Sequence, residues 1–270
     1  MIKIENVSYK YKNTDNIILD NLNFEIYDGE IVALVGKNGS GKSTIGKLLS
    51  GIIKLKNGNI SIDGVELKNS RNKIGIVFQN PENQIIFNNI YDEFAFCLKN
   101  KEKNEIMEII KKSLNMVDMS QYIDCDLYNL SLGQKQRIII AEIIASNPKY
   151  IVLDEPTSMI DSFGKEKIYN IIKRLKSEGY TIFCITNNAD EILLADRTLL
   201  LKNGKIEVEI KKEDLVNKAY LLEENEIMLP TILKILIELK KSGLKLNLNN
   251  YTTQEFVEKM KGKIKNDTIT

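Results

Sequence analysis

One stretch of nine residues limits the fold of this chain more than any other: GKNGSGKST, residues 36–44. It fits G-x-x-x-x-G-K-[ST], follows the apolar run IVALV (31–35) directly, and leads into the helical pattern TIGKLL. The motif needs that context. Its glycines let successive backbone N–H groups curl around a phosphate, and the N-terminus of the following helix faces the phosphate with partial positive charge. Gly36, Lys37, Asn38, Gly39, Ser40, Gly41, Lys42, Ser43 and Thr44 are therefore the expected phosphate cradle. Lys42 is placed to reach the β- and γ-phosphates of ATP, and the Ser43 hydroxyl to ligate Mg²⁺.

A strand that ends in such a loop belongs to a parallel sheet, and the chain supplies matching runs. IGIVF (74–78), YIVLD (150–154) and TIFCIT (181–186) are short and almost wholly apolar, as strands covered on both faces must be. Between them, residues 102–118 place Ile106, Ile109, Ile110, Leu114 and Val117 on one helical face, and residues 164–178 do the same with Ile168, Ile171, Ile172 and Leu175. The first 30 residues differ, since Ile2, Ile4, Val7, Tyr9 and Tyr11, then Leu22, Phe24 and Ile26, alternate with polar positions like half-exposed strands. Asp63-Gly64 and Asn203-Gly204 mark hairpin turns. The fold class is α/β.

A Mg²⁺-nucleotide site also needs an acidic strand end. YIVLDEP provides it: Asp154 can hold the metal, and Glu155 can orient and polarise the attacking water. Gln79, at the end of IGIVFQ, is a further candidate to touch metal or water. Lys42 and Asp154 stand 112 positions apart, more than one strand-helix crossover uses, so a segment is inserted between them.

Composition removes several function classes. With 38 Lys+Arg against 37 Asp+Glu, the net charge of +1 gives no field for nucleic acid or an anionic membrane surface, so any polyanion must be bound locally. Cys97, Cys125 and Cys184 lack metal-ligand spacing, and the chain contains no histidine, which argues against a zinc site and for a reducing cytosol. The longest apolar segments are broken by charge or proline short of the ~18 residues of a membrane span. Past residue 215, Pro230 opens a helical stretch with Ile232, Ile235, Leu236 and Leu239 on one face and Gly243 at its end. Thr252-x-x-Glu255 signals a second helix ahead of Phe256, Val257 and Met260.

Taken together, the phosphate loop, Gln79, NLSLGQKQR (129–137), LDEPTSMID (153–161) and the ITNNADE segment resemble, in order and spacing, ABC-type ATPase subunits over residues 1 to about 210. The resemblance implies a P-loop NTPase core with an antiparallel β subdomain and an inserted α-helical subdomain, at about 85–148. It implies two chains meeting head to tail, with ATP between the phosphate loop of one and Ser131, Gly133 and Gln134 of the other. Tyr11 would then stack on adenine, and Asp161 would lie at the contact between chains.

VFQNPENQIIF (77–87) with YDEFAFCLKN, and the C-terminal LPTILKILIELKKSGLKL with TTQEFVEKM, are similar to ATPase subunits of energy-coupling factor (ECF-type) transporters, importers of vitamins and transition-metal ions. That likeness implies a nucleotide-binding domain over 1–215 and a helical dimerisation extension over 216–270. It also implies a second ATPase subunit, a membrane coupling subunit received near Gln79, Pro81 and Gln84, a substrate-binding membrane subunit, and a peripheral place on the cytoplasmic face of the membrane. The alternatives are the ATPase of another ABC importer or a low-turnover nucleotide-binding scaffold.

Two positions depart from the family pattern. Leu132 stands where the signature usually has glycine, and Asn187 where the strand after it usually ends in histidine. Asn187 can donate a hydrogen bond to a γ-phosphate oxygen but cannot carry a proton. Asn188, one residue on, is left without a firm role.

Overall fold

The computed structural model describes residues 1–12, 14 and 16–242. In chain order its main elements are β1 (Ile2–Tyr9), β2 (Leu19–Ile26), β3 (Ile31–Val35), α1 (Lys42–Leu49), β4 (Asn57–Ile62), β5 (Val65–Glu66), α2 (Leu67–Ser70), β6 (Ile74–Val77), α3 (Ile90–Cys97), α4 (Lys103–Met116) and α5 (Leu132–Ala145). They continue with β7 (Tyr150–Asp154), α6 (Ser162–Ser177), β8 (Thr181–Ile185), α7 (Ala189–Leu194), β9 (Arg197–Lys202), β10 (Lys205–Lys211), α8 (Leu215–Glu224) and α9 (Thr231–Lys241).

Six strands form one sheet in the order β10-β9-β3-β8-β7-β6, parallel except for β10. The alternating N-terminal segments become an antiparallel sheet, β2-β1-β4-β5. The wholly apolar runs are explained by their two partners. Along β3, Ile31, Ala33 and Val35 face one hydrophobic cluster, whereas Val32 and Leu34 face the other. Ile151 and Leu153 of β7, and Ile182 and Cys184 of β8, join the first; Val152, Phe183 and Ile185 join the second. Helices α3 to α8 cover the first face, and α1 with the antiparallel sheet covers the second. Period 2 is thus kept, with both phases apolar.

The hairpin signals hold for backbone reasons. Asp63 and Gly64 have φ of 52° and 78°, Asn203 and Gly204 49° and 74°, the left-handed pairs that a two-residue turn demands. Helix α4 buries Ile106, Ile110 and Leu114, and α6 buries Ile168, Ile171, Ile172 and Leu175.

The C-terminal part differs from expectation in two ways. Helix α8 was not anticipated, although Leu215, Ala219 and Leu222 recur at helical spacing and are buried in the same cluster as the central sheet. In α9 the buried stripe is Ile232, Leu233 and Leu236, whereas Ile235 is exposed. The helix has turned so that Leu233 meets the cluster that also holds Leu222, Ile227 and Leu229. Gly243 and the segment at 252–260 lie outside the described residues.

Helix α5 is buried along most of its length and carries Glu142 inside with it. Burial pushes this carboxyl up to about 7, against a hydrogen bond donated by the Cys97 thiol at 2.8 Å. The native state therefore keeps a proton that the unfolded chain releases above about 4.5, so stability falls as pH rises from there toward 7. Glu142→Gln is expected to be more stable than wild type at pH 8, by about 1–3 kcal/mol, with the difference vanishing below about pH 4. Urea unfolding at the two pH values measures it.

Candidate functional site

Four parallel strands end at the same edge, and each delivers a candidate residue: β3 the phosphate loop, β6 Gln79, β7 Asp154 and Glu155, and β8 Asn187. The carboxyl ends of strands are where open α/β sheets build ligand sites. In the loop, Gly39 and Gly41 have φ of 81° and 107°, which side chains resist. At Gly36 the constraint is space, because a Cβ there would lie 2.3 Å from the Leu201 carbonyl oxygen.

Lys42 is buried at the first position of α1 and folds back over the loop, its Nζ donating to the carbonyls of Gly36 at 2.5 Å and Lys37 at 3.2 Å. Burial pushes its ammonium below the usual lysine range, and the nearby carboxylates of Glu155 and Asp154 pull the other way. Ser43 donates its hydroxyl to Asp154 Oδ1 at 3.2 Å, across 111 positions of sequence. Asp154 is raised by burial and lowered by that hydrogen bond. Ser40 Oγ is buried without a hydrogen-bond partner, an orphan of the kind a bound phosphate oxygen satisfies.

Glu155 follows with φ of 50°, a left-handed conformation rare outside glycine and asparagine, which turns the chain sharply out of the strand. Its backbone N–H donates to the Ile185 carbonyl at 2.8 Å, and its carboxylate Oε2 accepts from Gln79 Nε2 at 2.7 Å. Asn187 lies against the cradle: its Oδ1 accepts from Gly36 N–H at 3.3 Å and its Nδ2 donates to Asn38 Oδ1 at 3.4 Å. Tyr11 reaches the start of α1, its hydroxyl 3.1 Å from Thr44 Oγ1 and its ring edge-on to Tyr9. Lys37 pairs with Glu226, just past α8.

The LSLGQ segment stands apart. Ser131 caps α5 in a reciprocal box, its Oγ accepting from Gln134 N–H at 3.3 Å while Gln134 Oε1 accepts from Ser131 N–H at 2.8 Å. Gly133 packs where a Cβ would meet Ile160 at 3.1 Å, and Asp161 caps α6 through Gly164 N–H at 2.7 Å. Among the described residues, no hydrogen bond joins Ser131, Gly133 or Gln134 to the phosphate loop.

Three side chains have structural roles the sequence reading did not assign, Gln84 having been named there only for the coupling groove and Asn188 without a role. Gln84 braces the exit from β6, accepting from Phe78 N–H at 2.6 Å and donating to the Ile76 carbonyl at 3.1 Å. Gln136, fully buried in α5, donates to the Phe78 carbonyl at 3.2 Å. Asn188 caps α7 through Asp190 N–H at 2.9 Å. Only the last had a signal, the N-D/E pattern at a helix start.

A strand-loop-helix phosphate cradle facing a neighbouring Asp-Glu strand end defines a P-loop ATPase. Residues 19–158 match the ABC transporter family. The chain is 38% identical over 265 residues to the energy-coupling factor transporter ATP-binding protein EcfA1 of Fusobacterium nucleatum, covering 95% of this chain and 97% of that one. It is 39% identical over 266 residues to the protein of the same name from Ligilactobacillus salivarius, covering 96% and 94%. Among solved structures it superposes on cbiO1 of Clostridium perfringens, part of the ABC transporter complex cbiONQ, with a TM-score of 0.74, 29% identity, and 87% of this chain and 98% of that one covered. A dimeric ATP-binding cassette in a post-hydrolysis state with ADP and Pi superposes with a TM-score of 0.71 and 30% identity over 78% and 98%. The chain belongs to the ABC transporter family and, within it, to the energy-coupling factor transporter ATP-binding proteins.

Proposed function

We propose that this chain is the ATP-hydrolysing subunit of an ECF-type importer and that it works as the weaker half of an unequal pair with a second ATPase subunit. The observation that carries the reading is the convergence of Lys42, Ser43–Asp154 and Gln79–Glu155 on the cradle that Asn187 abuts. Lys42, now bonded to two loop carbonyls, would exchange them for β- and γ-phosphate oxygens, and the orphan Ser40 hydroxyl would gain an acceptor. Glu155, oriented by Gln79, would accept the proton of the attacking water as its oxygen bonds to the γ-phosphorus and the bond to the β–γ bridging oxygen breaks. The paired oxygens of Ser43 and Asp154, with Gln79 beside them, are the hard donor set that suits Mg²⁺, which would neutralise phosphate charge. Tyr11, whose hydroxyl lies beside Thr44, would stack on adenine.

Asn187 offers an amide where relatives hold a group that can be protonated, which weakens the site built on this chain's own loop. Leu132, half-buried at the first position of α5, would crowd the γ-phosphate in the partner's site. A homodimer would carry both departures twice, and a mixed dimer keeps intact parts in each site.

The described part of the C-terminal extension exposes Tyr220, Met228 and Ile235, which supports a dimerisation role. Ile86 and Phe96 are exposed beside the loop that Gln84 braces, apolar surface suited to a helix from a membrane coupling subunit; Pro81 itself is buried. No helix among the described residues is long and apolar enough to cross a membrane, so the spans of the importer would come from partners, with this subunit on the cytoplasmic face. Vitamins or transition-metal ions would be selected by a separate membrane subunit.

Affinity purification of the tagged chain from detergent-solubilised membranes is expected to bring down a second ATPase and membrane proteins in fixed ratio. A stable dimer of this chain alone that hydrolyses ATP as fast as that complex would overturn the unequal pair.

A further inference from the structure

The reading above leaves one buried polar cluster unused. Thr157, two residues past Glu155, is fully buried, and its Oγ1 donates to Glu191 Oε1 at 2.5 Å. The same oxygen accepts from Asn188 Nδ2 at 3.1 Å, and that amide also donates to the Tyr169 hydroxyl at 3.0 Å. Asn188 N–H donates to Thr186 Oγ1 at 2.8 Å, and Glu191, itself buried, accepts from the Cys184 thiol at 3.4 Å. The turn after β7, the end of β8, the start of α7 and the face of α6 thus share one hydrogen-bonded cluster, in which the Thr157 hydroxyl bonds Glu191 and Asn188 directly and reaches the others through them.

Its location gives the cluster a task. Glu155 and Asn187 both address the γ-phosphate position, and both sit on short irregular segments just beyond their strands. One backbone bond, Glu155 N–H to the Ile185 carbonyl, joins the two segments at their base. Thr157 supplies the second attachment, from the far side of Glu155 to the far side of Asn187. Two attachments fix an angle where one leaves a hinge. Displacing reacting groups by about 1 Å can cost on the order of 10² in rate.

We propose that Thr157 is a positioning residue for ATP hydrolysis, its hydroxyl locking the Glu155 turn to the Asn187 segment through Asn188 and Glu191. The proposal rests on Glu155 and Asn187 acting as described under the proposed function. Thr157 touches neither nucleotide nor water; it acts through its neighbours.

The near-isosteric Thr157→Val removes the hydroxyl, and Thr157→Ser retains it. In the assembled transporter, with the second ATPase's own phosphate loop disabled, Thr157→Val is expected to lower kcat about 10- to 100-fold with KM for ATP within about 3-fold, while Thr157→Ser stays near wild type. In the full chain without nucleotide, hydrogen exchange of peptides spanning 155–161 and 186–191 should quicken in the valine variant only. Equal kcat in all three proteins, an equal loss in valine and serine variants, or unchanged exchange overturns the proposal. Should Thr157→Val not fold, Asn188→Ala breaks the same link from a half-buried position and carries the same expectation. Glu155→Gln is measured alongside: if it leaves turnover intact while Thr157→Val still loosens both segments, the catalytic reading fails and the lock stands.

Discussion

Glu155→Gln is expected to reduce ATP hydrolysis at the site built on this chain's phosphate loop by about 10²–10⁴-fold, equivalent to ~3–5 kcal/mol of barrier. The geometry makes the substitution selective. Glutamine keeps an oxygen that can accept from Gln79 Nε2, so the anchor at 2.7 Å survives, and the backbone bend at φ 50° is unchanged. What is lost is a carboxylate able to take a proton. Lys42, Ser43 and Asp154 remain in place, so ATP should bind with near wild-type affinity and be held without turnover. Single-turnover hydrolysis with radiolabelled ATP, in complexes whose second ATPase has a disabled phosphate loop, measures the rate, and filter binding measures the affinity. Hydrolysis at the wild-type rate would remove Glu155 from its assigned role.

Asn187→His should act in the opposite direction. The native amide makes two long bonds, 3.3 Å from Gly36 N–H and 3.4 Å to Asn38, and presents no charge to a developing negative centre. An imidazole at that strand end can donate to the γ-phosphate and can carry a proton near neutral pH. Restoring one charge-stabilising contact of this kind typically recovers ~2–4 kcal/mol, so turnover at this site is expected to rise by up to about 10²–10³-fold. Because the wild-type chain contains no histidine, a new pH dependence between about 6 and 7.5 would be attributable to the introduced ring. If turnover does not rise, the amide is not what limits this site.

Much of this architecture could be read from residues because it depends on local patterns. The phosphate loop is a contiguous backbone device, and the four apolar runs that became β3, β6, β7 and β8 needed only their composition and neighbours to be recognised. Glu155 and Asp154 followed from lying at the end of one of those runs. Long-range arrangements were not legible. Nothing in the local sequence around Gln84 or Gln136 says that both side chains close on the few residues leaving β6, and nothing around Thr157 announces Asn188 and Glu191 more than 30 positions later. Helix α8 was a different case, since its Leu215, Ala219, Leu222 spacing was available and unread. In α9 the choice between Leu233 and Ile235 was settled by packing against Leu222, Ile227 and Leu229, which no single-helix pattern contains.

The strand order has a consequence for how the molecule comes into being. β8 is the fourth of the five parallel strands to leave the ribosome, yet it occupies the slot between β3 and β7. Until residue 185 has been made, β3 and β7 each present a bare edge, and the phosphate loop has no Asn187 segment beside it. A nascent chain that already contains GKNGSGKST and LDEP therefore still lacks the Asn187 side of the cradle. Insertion of β8 thus joins β3 to β7 and brings the Asn187 segment beside the phosphate loop in one step, while the other edge of β3 waits for β9.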